Sequence, residues 1–187
     1  MSKRLSCLST ILLSMAVPAW AAEIEAVPSG TKDLSFIFFK GEIVKSDWQR
    51  FSQVSENIQH AVVAFVQSPG GDLGTALVLG ARIRQRGYST SAPNLCASAC
   101  GLAWLAGVRR YMWPSSQIGF HAVYRKSSGA ESGVGNALVG AYLTDLGFSL
   151  NVVRYVTTPR PNSIRWLSIR EARALGISVE TPPLRKN

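Results

Sequence analysis

The run AVVAFVQ at residues 61–67 restricts the possible folds more than any other segment of the chain. A strand that is apolar at successive positions, rather than at alternate ones, is typical of a parallel sheet covered by helices on both faces. The turn-forming residues SPGGDLG follow, and TALVLGARIRQRG at 75–87 then has a helical pattern that ends in glycine. This order of strand, turn and helix predicts parallel strands joined by right-handed crossovers.

Strand and helix patterns continue to alternate on both sides of this unit. Apolar runs predict strands at 34–44, 88–92, 109–113 and 117–124, and spacings of three and four predict helices at 47–59, 98–106, 137–156 and 167–177. We expect the long helix to break near Gly147, and Ser168 and Glu171 to form a capping box at the last helix. The Gly/Ser-rich segment 126–136 is expected to be a mobile loop. The pattern predicts one α/β domain at 22–187 with a mostly parallel sheet.

The first 21 residues have the three-part layout of a secretory signal peptide. Lys3 and Arg4 precede an uncharged apolar run to about Val17, and the small-residue pattern AWA ends at Ala21. We expect cleavage after Ala21 and export, to the periplasm if the source is a Gram-negative bacterium and otherwise by secretion. A membrane anchor is the alternative, but the run is shorter than the ~18 apolar residues of a spanning helix, so we expect no stable membrane span after cleavage.

Cleavage would remove Cys7 and leave Cys96 and Cys100 as the remaining thiols in an oxidising compartment. Two thiols cannot build a closed zinc site alone, and both histidines, His60 and His121, are distant in sequence. We therefore expect a Cys96–Cys100 disulfide, which residues four apart on a helix could form, and no metal or cofactor.

The formal charge of +9 does not indicate a nucleic-acid partner. The basic residues are scattered, without a block of like charges and without interleaved aromatic residues, and this distribution is typical of a solvated surface. A hydrophobic content of 47% is enough for a globular core.

The segment NLCASACGLAWLAG places Ser98 directly after a strand, at the start of a predicted helix. Free amide groups at a helix N-terminus favour negative charge nearby. His121 lies toward the end of the strand predicted at 117–124, soon after Ser98, and could accept its proton at neutral pH. The same two residues could instead be a small residue in tight packing and a strand histidine bonded to backbone. Asp72 is interpreted as a helix cap rather than an acid.

These motifs resemble a known family. VQSPGG, CASAC, PSSQIGFH and WLSIREARALGI, in this order over residues 35–177, resemble the caseinolytic (Clp) protease subunit of the Clp/crotonase-like superfamily. CASAC after a signal peptide resembles the exported members. The resemblance implies repeated β-β-α and βα crossover units around a mostly parallel sheet. It also implies Ser98 as nucleophile, His121 as general base, and the backbone amides of Gly70 and Ala99 as the oxyanion site.

The third catalytic position departs from the Clp pattern. Clp-type enzymes have an aspartate just before the last helix, whereas this chain has PRPNSIRWLS, with Ile164 aligned to the aspartate. Asn162, preferred over Ser163, is the expected third member. An amide oxygen can orient an imidazole but does not stabilise imidazolium as a carboxylate does.

The sequence therefore predicts an exported serine hydrolase, a peptidase acting on short or unfolded peptides, that self-associates through 137–156. Because export separates the chain from ATP, we expect no ATPase partner. The alternative is a weakly active or inactive binding or assembly protein. An acyl-CoA enzyme of the crotonase type is disfavoured by export, and a Ser–Lys dyad with Lys126 is disfavoured because that lysine lies in a predicted loop.

Overall fold

The computed structural model describes residues 21–31 and 33–182, so the predicted signal peptide lies outside the described residues except for Ala21. The strands are β1 (Glu23–Pro28), β2 (Leu34–Lys40), β3 (His60–Gln67), β4 (Ser89–Ala92), β5 (Leu95–Ala97), β6 (Arg110–Met112), β7 (Gln117–Phe120) and β8 (Arg165–Leu167). The helices are α1 (Asp47–Val54), α2 (Leu73–Gln85), α3 (Ala99–Leu105), α4 (Gly133–Asp145), α5 (Leu150–Thr157) and α6 (Ile169–Ala174). Within these ranges no helix combines the length and hydropathy needed to cross a bilayer.

The strands form two sheets, whereas the sequence predicted a single mostly parallel sheet. The larger sheet has the order β1-β2-β3-β4-β6, in which β1 is an antiparallel edge and the other pairings are parallel. The smaller sheet has the order β5-β7-β8, with β5 parallel and β8 antiparallel to β7. The predicted α/β class with a mostly parallel sheet is confirmed.

A bridge between Ser68 and Cys96 joins the two sheets at the point where β3 ends. The Ser68 amide donates to the Leu95 carbonyl at 2.8 Å, and the Ala97 amide donates to the Ser68 carbonyl at 3.0 Å. The SPGG turn that follows β3 therefore lies beside the chain segment that carries Ser98.

Helix α3 lies inside the core, because all seven of its residues are buried. A helix that is apolar on every side is typical of a protein interior. Trp104 is fully buried on this helix, and its carbonyl accepts a 2.7 Å hydrogen bond from the Thr90 hydroxyl on β4. Phe39 and Phe65 pack at a centroid distance of 5.5 Å on the neighbouring strands β2 and β3.

Two local predictions are confirmed at helix ends. Gly147 has φ +83° and separates α4 from α5 where the long helix was expected to break. Ser168 and Glu171 form the predicted capping box, since the Ser168 hydroxyl accepts from the Glu171 amide and the Glu171 carboxylate accepts from the Ser168 amide.

Two other local predictions are wrong, and one strand was missed. Residues 133–136 are the first turn of α4 rather than loop, because the Ser132 hydroxyl accepts from the Gly135 amide and caps the helix. Strand β7 ends at Phe120, so His121 follows the strand instead of lying within a longer one. Strand β8 was not predicted, because a three-residue strand carries little periodicity.

Candidate active site

A cavity of about 500 Å³ lies where β3, β5 and β7 end. Four of the residues predicted from the sequence line it, namely Gly70, Ser98, Ala99 and His121. The fifth, Asn162, is not part of the lining. The carboxyl ends of strands are where open α/β sheets place their ligands, so the location agrees with a functional site.

Ser98 occupies a sharp turn between β5 and α3. Its backbone has φ 56° and ψ −126°, which is rare for a residue other than glycine. Such conformations are strained and concentrate at functional sites. The Ser98 amide donates to the Gly119 carbonyl at 2.7 Å, whereas its side chain makes no capping hydrogen bond to α3. The hydroxyl is thus held at the cavity wall without a helix-capping role.

Cys96 and Cys100 form a disulfide that brackets Ser98. The predicted pairing is confirmed, but its expected geometry is wrong, since Cys96 lies in β5 and Cys100 in α3 rather than both on one helix. Both residues are 0% exposed, and their Cα atoms are 5.2 Å apart. The bridge therefore spans the turn from strand to helix.

The first glycine of the SPGG motif, Gly70, packs directly against the turn that carries Ser98. Gly70 has φ +96°, and a Cβ atom built on it would lie 2.9 Å from the Ala99 nitrogen and 2.6 Å from the Ala97 carbonyl oxygen. Glycine is required at this position because of the positive φ and because a Cβ atom would clash with these backbone atoms. The Gly70 amide is not free, however, because it donates to the buried Ser68 hydroxyl at 3.2 Å.

The second glycine has the available amide. Gly71 forms a parallel bridge with Ile43, in which Ile43 donates to the Gly70 carbonyl and accepts from the Asp72 amide. No hydrogen bond within 21–31 and 33–182 uses the Gly71 amide, and Gly71 lines the cavity. Ala99, the first residue of α3, likewise has no intrahelical acceptor for its amide. The sequence predicts the Gly70 amide as a donor, but the SPGG motif does not distinguish the two glycines.

The imidazole of His121 is oriented by a main-chain carbonyl. Its Nδ1 lies 2.8 Å from the Ala122 oxygen. A carbonyl only accepts, so this hydrogen bond requires the proton on Nδ1 and leaves Nε2 able to accept one. The Ala122 amide in turn donates to the Pro159 carbonyl at 2.7 Å. In the part of the chain that the structure describes, no hydrogen bond joins the side chains of His121 and Ser98.

The predicted third member, Asn162, is not among the residues that line the cavity. Asn162 is in an exposed turn after α5, and among the described residues its side chain has no hydrogen bond to His121. The Ser163 hydroxyl donates to the Arg160 carbonyl at 3.2 Å. Ile164 is 41% exposed and packs over Gly119 on β7.

Charged side chains stand at the mouth of the cavity. The Asp72 carboxylate accepts from the Thr75 amide and hydroxyl, both at 2.8 Å, and caps α2 as predicted. Burial opposes ionisation of Asp72, but the Thr75 hydrogen bonds together with the charges of Lys45 and Lys126 lower the pKa of the carboxyl. Lys126 donates to Glu42 at 3.0 Å, and this hydrogen bond raises the pKa of Lys126. A lysine base needs a lowered pKa, so the Ser–Lys dyad is not supported.

The inner wall of the cavity is apolar. Its side chains are at most 4% exposed and are contributed by helices α3, α4 and α5 and strand β7, namely Leu102, Val139, Val156 and Phe120. An apolar wall with a few polar groups at one side is typical of a site that binds an apolar group in a fixed orientation.

Comparison with known proteins finds solved structures of similar fold. No protein-family model matches the chain, and no curated protein matches it. The ClpP protease catalytic domain from Plasmodium falciparum aligns with TM-score 0.62 and 16% identity over 83% of this chain and 88% of that chain. A point mutant of ClpP1 from Listeria monocytogenes aligns with TM-score 0.55 and 16% identity over 80% of this chain and 92% of that chain.

An enoyl-CoA hydratase from Thermoplasma volcanium also aligns, with TM-score 0.54 and 17% identity over 84% of this chain and 71% of that chain. Identities this low show the fold alone. The chain has the ClpP/crotonase fold, which confirms the fold predicted from the sequence. Because a fold hosts many activities, the function has to be argued from the site.

Proposed function

We propose that this protein is a serine hydrolase that cleaves peptides by acyl transfer, with Ser98 as nucleophile and His121 as general base. One observation carries the proposal: Ser98 lies in a strained turn with an uncapped hydroxyl, in the same cavity as an imidazole whose Nδ1 is bound to a carbonyl. Strain at a cavity wall and an oriented base are both features of nucleophile sites. The fold shared with ClpP proteins supports a peptidase.

The reaction follows the usual course of acyl transfer. The Oγ atom of Ser98 bonds to the peptide carbonyl carbon, Nε2 of His121 takes the hydroxyl proton, and the carbonyl electron pair moves onto oxygen. The C–N bond then breaks, and the amine leaves with the proton from His121 while the acyl group remains as an ester on Ser98. Water repeats the sequence, releasing the acid and restoring the serine.

The negative oxygen of the intermediate would be bound by the backbone amides of Gly71 and Ala99. Both amides border the cavity, and neither has an acceptor among the hydrogen bonds of residues 21–31 and 33–182. One such donor contributes roughly a hundred- to a thousandfold to turnover. We assign the donor to Gly71 instead of Gly70, because the Gly70 amide is bonded to Ser68.

The Ala122 carbonyl takes the orienting role that a carboxylate has in a Ser-His-Asp triad. It selects the tautomer with the proton on Nδ1, which the reaction needs, but it carries no full charge to stabilise imidazolium. We therefore propose a slow enzyme. Substrates would be short or unfolded peptides with an apolar side chain on the acyl side, because the inner wall is apolar.

We further propose that the chain is exported by the signal at 1–21, to the periplasm or by secretion, and that it self-associates. Helix α4 carries the exposed apolar side chains of Val134 at 76% and Leu138 at 54%, one helical turn apart, and Leu150 at the start of α5 is 62% exposed. Contiguous exposed apolar residues are typical of interaction surfaces.

Labelling with a fluorophosphonate probe tests the activity. The protein from residue 22 onward should be labelled between about pH 6 and pH 9, and Ser98→Ala should not be labelled. Ser149→Ala, at an exposed helix start outside the cavity, should be labelled as the unmodified protein is. Absence of labelling of the unmodified protein over this range would contradict the proposal.

A non-catalytic binding protein is the second candidate. It is favoured by the lack, in the described chain, of a hydrogen bond between Ser98 and His121. An unlabelled protein that still binds apolar peptides in the cavity, with affinity lost in Val139→Asp, would support this candidate over the first.

A further inference from the structure

We propose that the Cys96–Cys100 disulfide is a positioning element of the active site, which holds Ser98 and the Ala99 amide in their reactive geometry. The effect of the disulfide on catalysis rests on the proposed serine hydrolase function. The structural part, that the turn around Ser98 depends on the bridge, can be tested without that function.

The bridge and the conformation of Ser98 are geometrically linked. The Cα atoms of Cys96 and Cys100 are 5.2 Å apart, whereas a chain extended over four residues would span roughly 13 Å. The bridge can therefore close only if the chain folds back within this segment. In the structure this turn includes Ser98, whose φ of 56° is unusual for a residue other than glycine.

The effect of this bridge is expected to be local. In the chain-entropy account a disulfide stabilises more when it closes a longer loop, and residues four apart in sequence close a very short one. Both cysteines are 0% exposed, so reductants reach the sulfur atoms only if the turn opens. A short, buried bridge around a strained residue is placed to hold a conformation rather than to respond to redox conditions.

The bridged turn is also fastened to the strand that precedes His121. The Ser98 amide donates to the Gly119 carbonyl at 2.7 Å, and a Cβ atom built on Gly101 would lie 2.6 Å from the Phe120 ring. Helix α3 therefore packs closely on β7. If the turn loosened, the Ser98 hydroxyl would move relative to His121, and misplacement by about 1 Å can lower a rate roughly a hundredfold.

The first experiment compares probe labelling in two variants of matched type. The double variant Cys96→Ala with Cys100→Ala removes the bridge, and Met112→Ala removes a comparable buried side chain on β6 outside the cavity. At a temperature where circular dichroism shows each protein folded, we expect labelling roughly tenfold or more slower in the double variant. Met112→Ala should be labelled at the unmodified rate. Equal labelling of the double variant and the unmodified protein would overturn the proposal.

If the double variant does not fold, unmodified protein refolded in a reducing agent replaces it in this experiment. The reduced protein keeps all side-chain volumes and lacks only the S–S bond. Its labelling should be slowed in the same way.

Hydrogen exchange separates failure of this inference from failure of the proposed function. The Gly101 amide donates to the Ser98 carbonyl at 3.0 Å and closes the turn. We expect its exchange to be faster in the unbridged protein and unchanged in Met112→Ala, whether or not the serine reacts with the probe. Equal exchange with and without the bridge would overturn the structural part. An unlabelled unmodified protein with bridge-dependent exchange would overturn only the hydrolase.

Discussion

The amide nitrogen of Ser98 donates a 2.7 Å hydrogen bond to the carbonyl oxygen of Gly119. Gly119 lies in β7, and β7 ends one residue before His121. The relative position of the two candidate catalytic side chains is therefore determined by the pairing of β5 with β7, since no hydrogen bond of the described residues joins the side chains themselves. Substitutions at or after His121 can therefore change the reactivity of Ser98 without disturbing the pairing of β5 with β7.

The orienting group of His121 can be identified by comparing two variants. We expect His121→Gln to slow probe labelling by roughly a hundred- to ten-thousandfold, the usual contribution of a general base. Asn162→Ala should be labelled at the unmodified rate, because the Ala122 carbonyl rather than Asn162 is bonded to Nδ1. A large loss in Asn162→Ala would show that the asparagine is the third member after all.

The apolar wall should determine substrate choice. Val139 is 1% exposed and lines the cavity, so Val139→Phe should reduce its volume. We expect kcat/KM for peptides with a leucine or phenylalanine acyl side to fall by roughly 10- to 200-fold relative to alanine peptides. Ala141→Phe, on the exposed side of the same helix, is the control. Unchanged relative rates in Val139→Phe would place the side-chain pocket elsewhere.

Self-association should depend on the apolar surface of α4. We expect light scattering at micromolar concentration to give an oligomer for the protein from residue 22 onward. Val134→Glu with Leu138→Glu should give a monomer, because buried unpaired carboxylates are costly at an interface. Val78→Glu, an exposed valine on α2, should remain oligomeric. A monomeric unmodified protein would contradict the proposed association.

The capping box of α6 should make a pH-dependent contribution to stability. Hydrogen bonds from Ser168 lower the pKa of Glu171 below its ordinary value of 4.5. A lowered folded-state pKa gives stability that is present above the unfolded value and is lost as pH falls through the folded value. We expect Ser168→Ala to lower the free energy of unfolding by about 1 kcal/mol near neutral pH.

Urea unfolding of Glu171→Gln and the unmodified protein should therefore differ near neutral pH and converge in acid. Glu56→Gln, an exposed carboxylate on the turn after α1, is the control and should show no comparable difference. A constant difference between Glu171→Gln and the unmodified protein at all pH values would assign the effect to packing rather than charge.

Local features of the fold follow from local sequence. The run at 61–67 forms the buried strand β3, and Gly147 ends α4, because side-chain periodicity and backbone preference act within a few residues. The short β8 could not be predicted this way. It exists because Ile118 and Leu167 pair across β7 and β8, and this pairing joins distant parts of the chain.

The sequence by itself determined the α/β class, the pairing of Cys96 with Cys100, and Ser98 and His121 as the candidate pair. These follow from residue types and from spacing along the chain. Only the tertiary structure decided that Gly71 rather than Gly70 has the available amide, and that the Ala122 carbonyl rather than Asn162 contacts His121. Both outcomes depend on which backbone groups are already hydrogen-bonded by other segments, and that is established only when β3, β5 and β7 come together.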